Sequence, residues 1–415
     1  MARTYDWQKR AGLSRPELCL IMVESLQWMA HNAVYFLGLI GAASYDLGGS
    51  AFLVAGITLV HNLTTSLGNV TSGPVVDRFG PRMTALWTLV FSVVGALFVG
   101  LMPTTAPILF FASAMLGLTG GFINTCTRAW PAYLTEGHDK LVKLNGQLVF
   151  YSNISYAMGP VLGGIVVQYA PSHATFLLMA ASMAAAIPMA LGAREQLRPG
   201  AGARDEEEGG VNEAGSGVVH GMLEGARLTF ADPTLRTIFV AGFLGFCAFG
   251  AFDSLESLYY RDVLKVSVDW MGWLSAIAGF TGIVGAYVVT KLSAGRVNLR
   301  LLLVTLMCVG LSSMLYVGTP WLLCACIGQA ATGLCWGLFE PTEATLVQEC
   351  APMGYLGRIM GFQRFGLMMS GVVPLLVAPF LAQVAGPQAV LFGAACTIAA
   401  VGAIFVVGNR EQNSL

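Results

Sequence analysis

Residues 51–76 and 84–102 are apolar runs of membrane-spanning length, joined by the polar decapeptide Gly73-Pro-Val-Val-Asp77-Arg78-Phe-Gly80-Pro-Arg82. A hydrocarbon core of about 30 Å takes roughly 20 apolar residues of helix. Asp77, Arg78 and Arg82 are costly inside it, so they must lie at a membrane surface where two helices turn around. Gly73 and Gly80 let the backbone pack closely and turn there. The same length criterion gives twelve spans: 17–44, 51–76, 84–102, 106–134, 143–170, 174–193, 237–262, 267–292, 298–317, 321–348, 356–384 and 387–408. The chain therefore reads as an all-α membrane protein.

Composition agrees and excludes other classes. The 415 residues are 55% hydrophobic and 11% charged, against about 25% charged in soluble domains. A net charge of −1 leaves no basic face for nucleic acid. No nucleotide-binding loop is present, so any energy-driven process would draw on an ion gradient rather than ATP. The nine cysteines form no CxxC pair and no cluster with histidine. They read as small buried hydrophobes, with no metal site, no cofactor and no enzymatic centre expected. The first sixteen residues are polar and basic, with no cleavage site after a short apolar core, so no removable signal peptide is expected.

The expected domains are a cytoplasmic segment 1–16, a six-helix bundle 17–193, a cytoplasmic linker 194–236, a second six-helix bundle 237–408 and a tail 409–415. The linker carries the acidic run 205–208 and a Gly-Ser-Gly tract, which cannot bury a core. From about Met222 to Arg236 its pattern turns amphipathic, suggesting a short surface helix. Of 22 Lys and Arg, only Arg261 and Lys265 fall on the side of the odd-to-even connections. Both termini are therefore expected in the cytoplasm, in a multi-pass plasma-membrane protein. A shift of 215 residues sets Thr127-Arg128-Ala129 against Thr342-Glu343-Ala344 and Asn145-Gly146 against Met360-Gly361. That weak repeat suits two pseudo-symmetric halves.

The pattern G-x-x-x-D-R-x-G-x-R at 73–82 resembles the loop between the second and third spans of the major facilitator superfamily; Pro81 departs from the basic residue usual there. Gly146, Gly159, Pro160, Gly163 and Gly164 resemble that superfamily's antiporter signature, with Ser155 replacing one glycine. Small residues of this kind also serve plain close packing. Tyr45–Ser50, Arg128–Pro131, Asn145-Gly146, Gly221–Leu235 and Val347–Gly361 resemble the enterobactin and macrolide exporter branch. The resemblance implies the major facilitator fold of twelve helices in two halves. It also implies a monomeric drug:proton antiporter acting in efflux and multidrug resistance. Importers of nutrients or anions, lipid flippases and non-transporting sensors stay open as alternatives.

Intramembrane ionisable groups are the functional candidates. Asp253 and Glu256 are three apart and share a helical face, as do Glu340 and Glu343. Such a pair can share one proton, the chemistry of coupling. Glu24, in span 1, is a further proton-coupling candidate, although it has no carboxyl neighbour on its helix. Trp28, His31, Asn32, Arg128, Phe252 and Phe339 are the expected substrate-cavity residues, with Arg128 alternatively a counter-ion for Glu340 or Glu343. Asp77 and Arg78 are expected to hold the cytoplasmic gate.

Overall fold

The computed structural model describes residues 14–135, 138–194, 214–292, 296–351 and 355–412. Among these no strand occurs. Twelve long helical passes run in order: span 1 is Arg15–Ala33 continuing as a π-helix over Val34–Asp46, then Ala51–Phe79, Pro81–Leu101, Ala106–Ala129, His138–Tyr169 and Ala174–Gly192 for spans 2 to 6. Span 7 is Pro233–Leu258 continuing as a π-helix over Tyr259–Leu264. Spans 8 to 10 are Asp269–Lys291, Leu299–Val317 and Leu322–Cys350. Span 11 is Leu356–Ser370 with Val372–Ala385, and span 12 is Pro387–Gln412. Ten of the twelve are long and apolar enough on their own to cross a membrane. Spans 1 and 5, the two outside that group, hold more polar residues.

The helix boundaries follow from local chemistry. Span 1 opens on Ser14-Arg-Pro-Glu17, where the Ser14 amide donates to Glu17 Oε2 at 2.6 Å, a capping box. Glu17 Oε1 also accepts from the Thr135 hydroxyl at 2.9 Å, tying the start of span 1 to the segment after span 4. Spans 2 and 3 meet at Gly80, with φ 83° and ψ 156°, and Pro81 opens the next helix. Spans 11 and 12 meet in the same way at Gly386, φ 82° and ψ 156°, followed by Pro387. That backbone region is essentially closed to residues with a Cβ.

Clustering of the fold gives two compact units. Unit 1 comprises Met1–Ala203 with Ser267–Ala276, and unit 2 comprises Arg204–Val266 with Ile277–Leu415. In unit 1, spans 2 and 4 lie backbone to backbone. A Cβ at Gly121 would sit 2.5 Å from the Thr65 carbonyl and 2.7 Å from the Asn69 amide. Span 1 packs on spans 5 and 6, and span 3 on spans 4 and 6. In unit 2, span 9 packs on spans 10 and 12, and span 7 on spans 11 and 12. A core of Leu235, Ile238, Leu302, Leu306, Val309, Phe339 and Ile398 lies at its centre.

The linker helix runs Ala214–Ala231, beginning well before Met222. The i, i+4 series Val218, Met222, Ala226, Phe230 continues the helical pattern upstream into the tract read as flexible. Its end is packed rather than superficial: Thr229 is fully buried and Phe230 meets the rings of Phe239 and Phe362 at 5.6 and 6.2 Å. Asp232 then caps span 7, accepting from the Leu235 amide at 2.8 Å. The expected acidic run 205–208 lies outside the described residues, as do segment 1–13 and residues 413–415.

Candidate functional site

In unit 1 the polar residues of span 1 form a connected chain. Glu24 is 8% exposed. Its Oε1 accepts from Trp28 Nε1 at 2.9 Å and from the Ser152 hydroxyl of span 5 at 3.0 Å. Its Oε2 is buried without a hydrogen-bond partner. Asn32 donates back to the Trp28 carbonyl at 2.8 Å, which fixes the turn between them. His31 points toward span 2, its Nε2 lying 3.2 Å from Nε2 of His61, while His61 Nδ1 lies 3.3 Å from Asn62 Oδ1. Aromatic rings surround this pair: Tyr35 stands 4.7 Å from His61 and Trp28 6.0 Å from His31. Gly120 of span 4 leaves the space, since a Cβ there would come within 2.8 Å of His31 Cε1. Glu24, Trp28, His31 and Asn32 are thus one site. His61 and Ser152 complete it. The sequence showed His61 in span 2 but gave no sign of its partner, 30 residues away. Arg128 donates to Asn124 Oδ1 at 2.9 Å on its own helix.

Unit 2 treats its two carboxyls differently. Glu256 Oε1 accepts from Tyr316 of span 9 at 2.7 Å, Gln329 of span 10 at 3.0 Å and Tyr260 at 3.1 Å. The Tyr260 and Tyr316 hydroxyls also share a hydrogen bond. Next to them Tyr259 donates to the Tyr316 and Thr319 carbonyls at 3.0 and 2.8 Å. The π-helical end of span 7 is thereby bound to spans 9 and 10. Asp253, one turn away, is exposed and has no hydrogen-bond partner among the described residues. Tyr259, Tyr260, Tyr316 and Gln329 were not foreseen; polar side chains recurring in apolar helices were the only signal for them.

Two of the expected cavity residues are buried among aromatic rings. Phe252 is 2% exposed, stacked on Phe249 at 4.9 Å and near Tyr316. Phe339 is 1% exposed within the hydrophobic core, against Trp336. Both side chains pack against neighbouring aromatic rings. Glu340 and Glu343, the span 10 proton-coupling candidates, line a cavity together with Phe246, Met360, Gln363 and Met368.

At the 73–82 turn, Arg82 donates to the Leu191 and Ala190 carbonyls at 2.9 and 3.3 Å. It so satisfies orphan carbonyls at the C-terminus of span 6. Arg78 lies over the Phe79 ring at 5.2 Å. The side chain of Asp77 lies outside the described residues, and Gly146 is likewise not described beyond its helix. The glycines of span 5 have distinct neighbours. A Cβ at Gly159 would sit 2.5 Å from the Met29 carbonyl, and one at Gly163 3.1 Å from the Ala33 carbonyl, so both faces touch span 1. Gly164 instead faces Asp269 and Gly272 at the start of span 8, where a Cβ would lie 3.2 and 3.5 Å away. Pro160 sits inside the helix, beside these contacts.

Comparison with known proteins places this architecture. The chain is 24% identical over 386 residues to the multidrug efflux pump Tap of Mycolicibacterium fortuitum, covering 88% of this chain and 89% of that protein. It is 25% identical over 370 residues to the multidrug efflux pump Tap of Mycobacterium tuberculosis (strain ATCC 25618 / H37Rv), covering 86% and 84%. Among solved structures, the nucleoside transporter NupG superposes with a TM-score of 0.73 at 13% identity, covering 95% of this chain and 99% of that one. The POT family transporter PepTSo gives 0.71 at 14% identity, covering 97% and 99%. At those identities the structures speak for the fold alone. The model of the Major Facilitator Superfamily matches residues 18–374, and the chain is a member of that superfamily: a multi-pass membrane transporter, not an enzyme.

Proposed function

We propose that this transporter is a proton-coupled exporter of amphiphilic or lipophilic small molecules, acting as a monomer in the plasma membrane by alternating access. The observation that carries the coupling is the inequality of Asp253 and Glu256. Glu256 is held by three donors from three helices, whereas Asp253, one turn away, is exposed and unpaired. Neighbouring carboxyls in unlike environments divide their roles. Glu256 serves as a fixed acceptor that anchors the end of span 7, and Asp253 takes up and releases the proton. In unit 1, Glu24, Trp28, His31 and Asn32 supply polar and aromatic contacts for substrate. Export, rather than import, is supported by the relatives named multidrug efflux pumps, which this chain matches along most of their length.

Proteoliposomes test the assignment directly. Asp253→Asn is expected to keep substrate counterflow while losing accumulation driven by a pH gradient. Retention of that accumulation by Asp253→Asn overturns the assignment. A substrate panel in a drug-sensitive host, with and without a protonophore, tests direction: compounds whose cellular level rises on expression would make the protein an importer.

A further inference from the structure

We propose that unit 2 holds one acyl chain of a membrane phospholipid in a groove between spans 7, 11 and 12, in the leaflet on the side of the span 11–12 turn. The groove has a volume of about 680 Å³. Its span 12 side is built from Ala389, Gly393, Thr397 and Val401, which recur every four residues and so share one helical face. Val377, Leu381 and Val384 of span 11 form an exposed, apolar wall opposite, and the buried Ala251 of span 7 lies beneath. A Cβ at Gly393 would meet nothing within 4 Å, so the space beside span 12 is open and no neighbouring helix closes it.

Place, chemistry and length identify the occupant. The span 11 wall is apolar and open, with Val384 92% exposed, and in a membrane transporter such a face lies against hydrocarbon. No described residue of the lining is charged, and only Thr397 and Cys247 carry a polar atom on the side chain. The Thr397 hydroxyl already donates to the Gly393 carbonyl at 2.9 Å. Little is left in the groove to orient a head group or a polar solute, so a hydrocarbon chain is its match. Residues 389–401 rise about 18 Å at about 1.5 Å per residue, and one leaflet of a hydrocarbon core of about 30 Å is about 15 Å deep. The groove begins one turn from Gly386, where spans 11 and 12 turn around. It therefore runs from the membrane surface toward the midplane, the course of a single lipid chain. Left empty, it would forfeit dispersion contacts along its whole lining, and a chain seated there restores them. Three helices hold such a chain, whereas lipid along an open face, such as Phe91, Val94 and Phe98 of span 3, touches one. The head group stays outside, so recognition is by chain length rather than by head-group charge.

The full-length protein, reconstituted with dipalmitoyl-phosphatidylglycerol bearing a diazirine midway along one chain, is extracted in detergent and passed over a sizing column, which leaves only slowly exchanging lipid. Irradiation is expected to label residues 389–401 and 244–251 and to spare the exposed face of span 3. Native mass spectrometry then reads how much unmodified lipid is retained. Gly393→Trp, which fills the groove, is expected to lower retention about 3-fold or more. Dilauroyl-phosphatidylglycerol, too short for the groove, should be retained about 3-fold less than the dipalmitoyl lipid. Dipalmitoyl-phosphatidylcholine should be retained equally well. Labelling of span 3 as strong as that of span 12 overturns the proposal, as does retention that follows the head group instead of the chain length. If Gly393→Trp does not fold, the labelling map and the chain-length series decide the matter on the unaltered protein. If it folds and keeps its lipid, the proposal fails: a loss of rhodamine 6G binding would then give the groove to substrate, and loss of a dimer would give it to a second copy of the chain.

Discussion

Two imidazoles with their Nε2 atoms 3.2 Å apart must be complementary, one donating and the other accepting. His31 and His61 are each at most 9% exposed, so neither has water to replace a lost partner. His31→Leu or His61→Leu alone should therefore cost about 1–3 kcal/mol, the penalty of a buried polar group left unmet. The double variant should cost clearly less than the sum, with a coupling of about 0.5–3 kcal/mol. Thermal unfolding of the purified protein in detergent measures the cycle, and strict additivity would show that the two rings are neighbours without being a pair. The sequence made Glu24, His31 and Asn32 legible as polar groups in an apolar span, and helical spacing set Glu24 and His31 on one face. It did not show that Glu24 turns to Trp28 and Ser152 while His31 turns to His61. Those partners are set by how spans 1, 2 and 5 pack, and no periodicity along one helix encodes that.

The helices themselves were legible wherever length and apolarity coincide, as in spans 3, 9 and 12. The π-helical continuations of spans 1 and 7 were not, because a run such as Val34–Ala43 is equally apolar whether its hydrogen bonds close at four residues or at five. In the structure the Leu47 amide bonds the Ala42 carbonyl at 3.0 Å, five residues back. Turns were better encoded. Gly80 was marked by its polar neighbours, and Gly386 has the same φ, ψ and following proline. At Gly386 an added Cβ would meet nothing within 4 Å, and the same holds for Gly393 inside span 12. Steric crowding is thus absent at both, and only the backbone differs. Gly386→Ala should destabilise by about 1–3 kcal/mol, the cost of a conformation reserved for glycine. Gly393→Ala should be neutral or stabilising by up to about 1 kcal/mol, since alanine is the better helix residue. Melting temperatures that move in the same direction for the two variants would contradict the claim that φ alone separates them.

At the scale of the molecule, the two units meet the same physical problem, polar groups inside a membrane, in opposite ways. Unit 1 leaves one oxygen of Glu24 buried and unmet, whereas unit 2 surrounds Glu256 with donors and leaves Asp253 open. That contrast supports the proposed division of proton and substrate roles between the halves, and the proposed direction of transport depends on which side of the membrane each end of the chain faces. Orientation is a matter of charge. Of 22 Lys and Arg, all but Arg261 and Lys265 fall with the termini and the even-to-odd connections, and such residues are retained on the cytoplasmic side. Ser216, in the linker helix Ala214–Ala231, is expected on the same side as the termini. In a background with the nine native cysteines replaced, Ser216→Cys should react with a membrane-impermeant maleimide in inverted vesicles and stay unlabelled in intact cells. Arg261→Cys, at the end of span 7, should show the opposite pattern. Labelling of Ser216→Cys from outside intact cells would reverse the topology, and with it the sense in which a proton released from Asp253 could drive export.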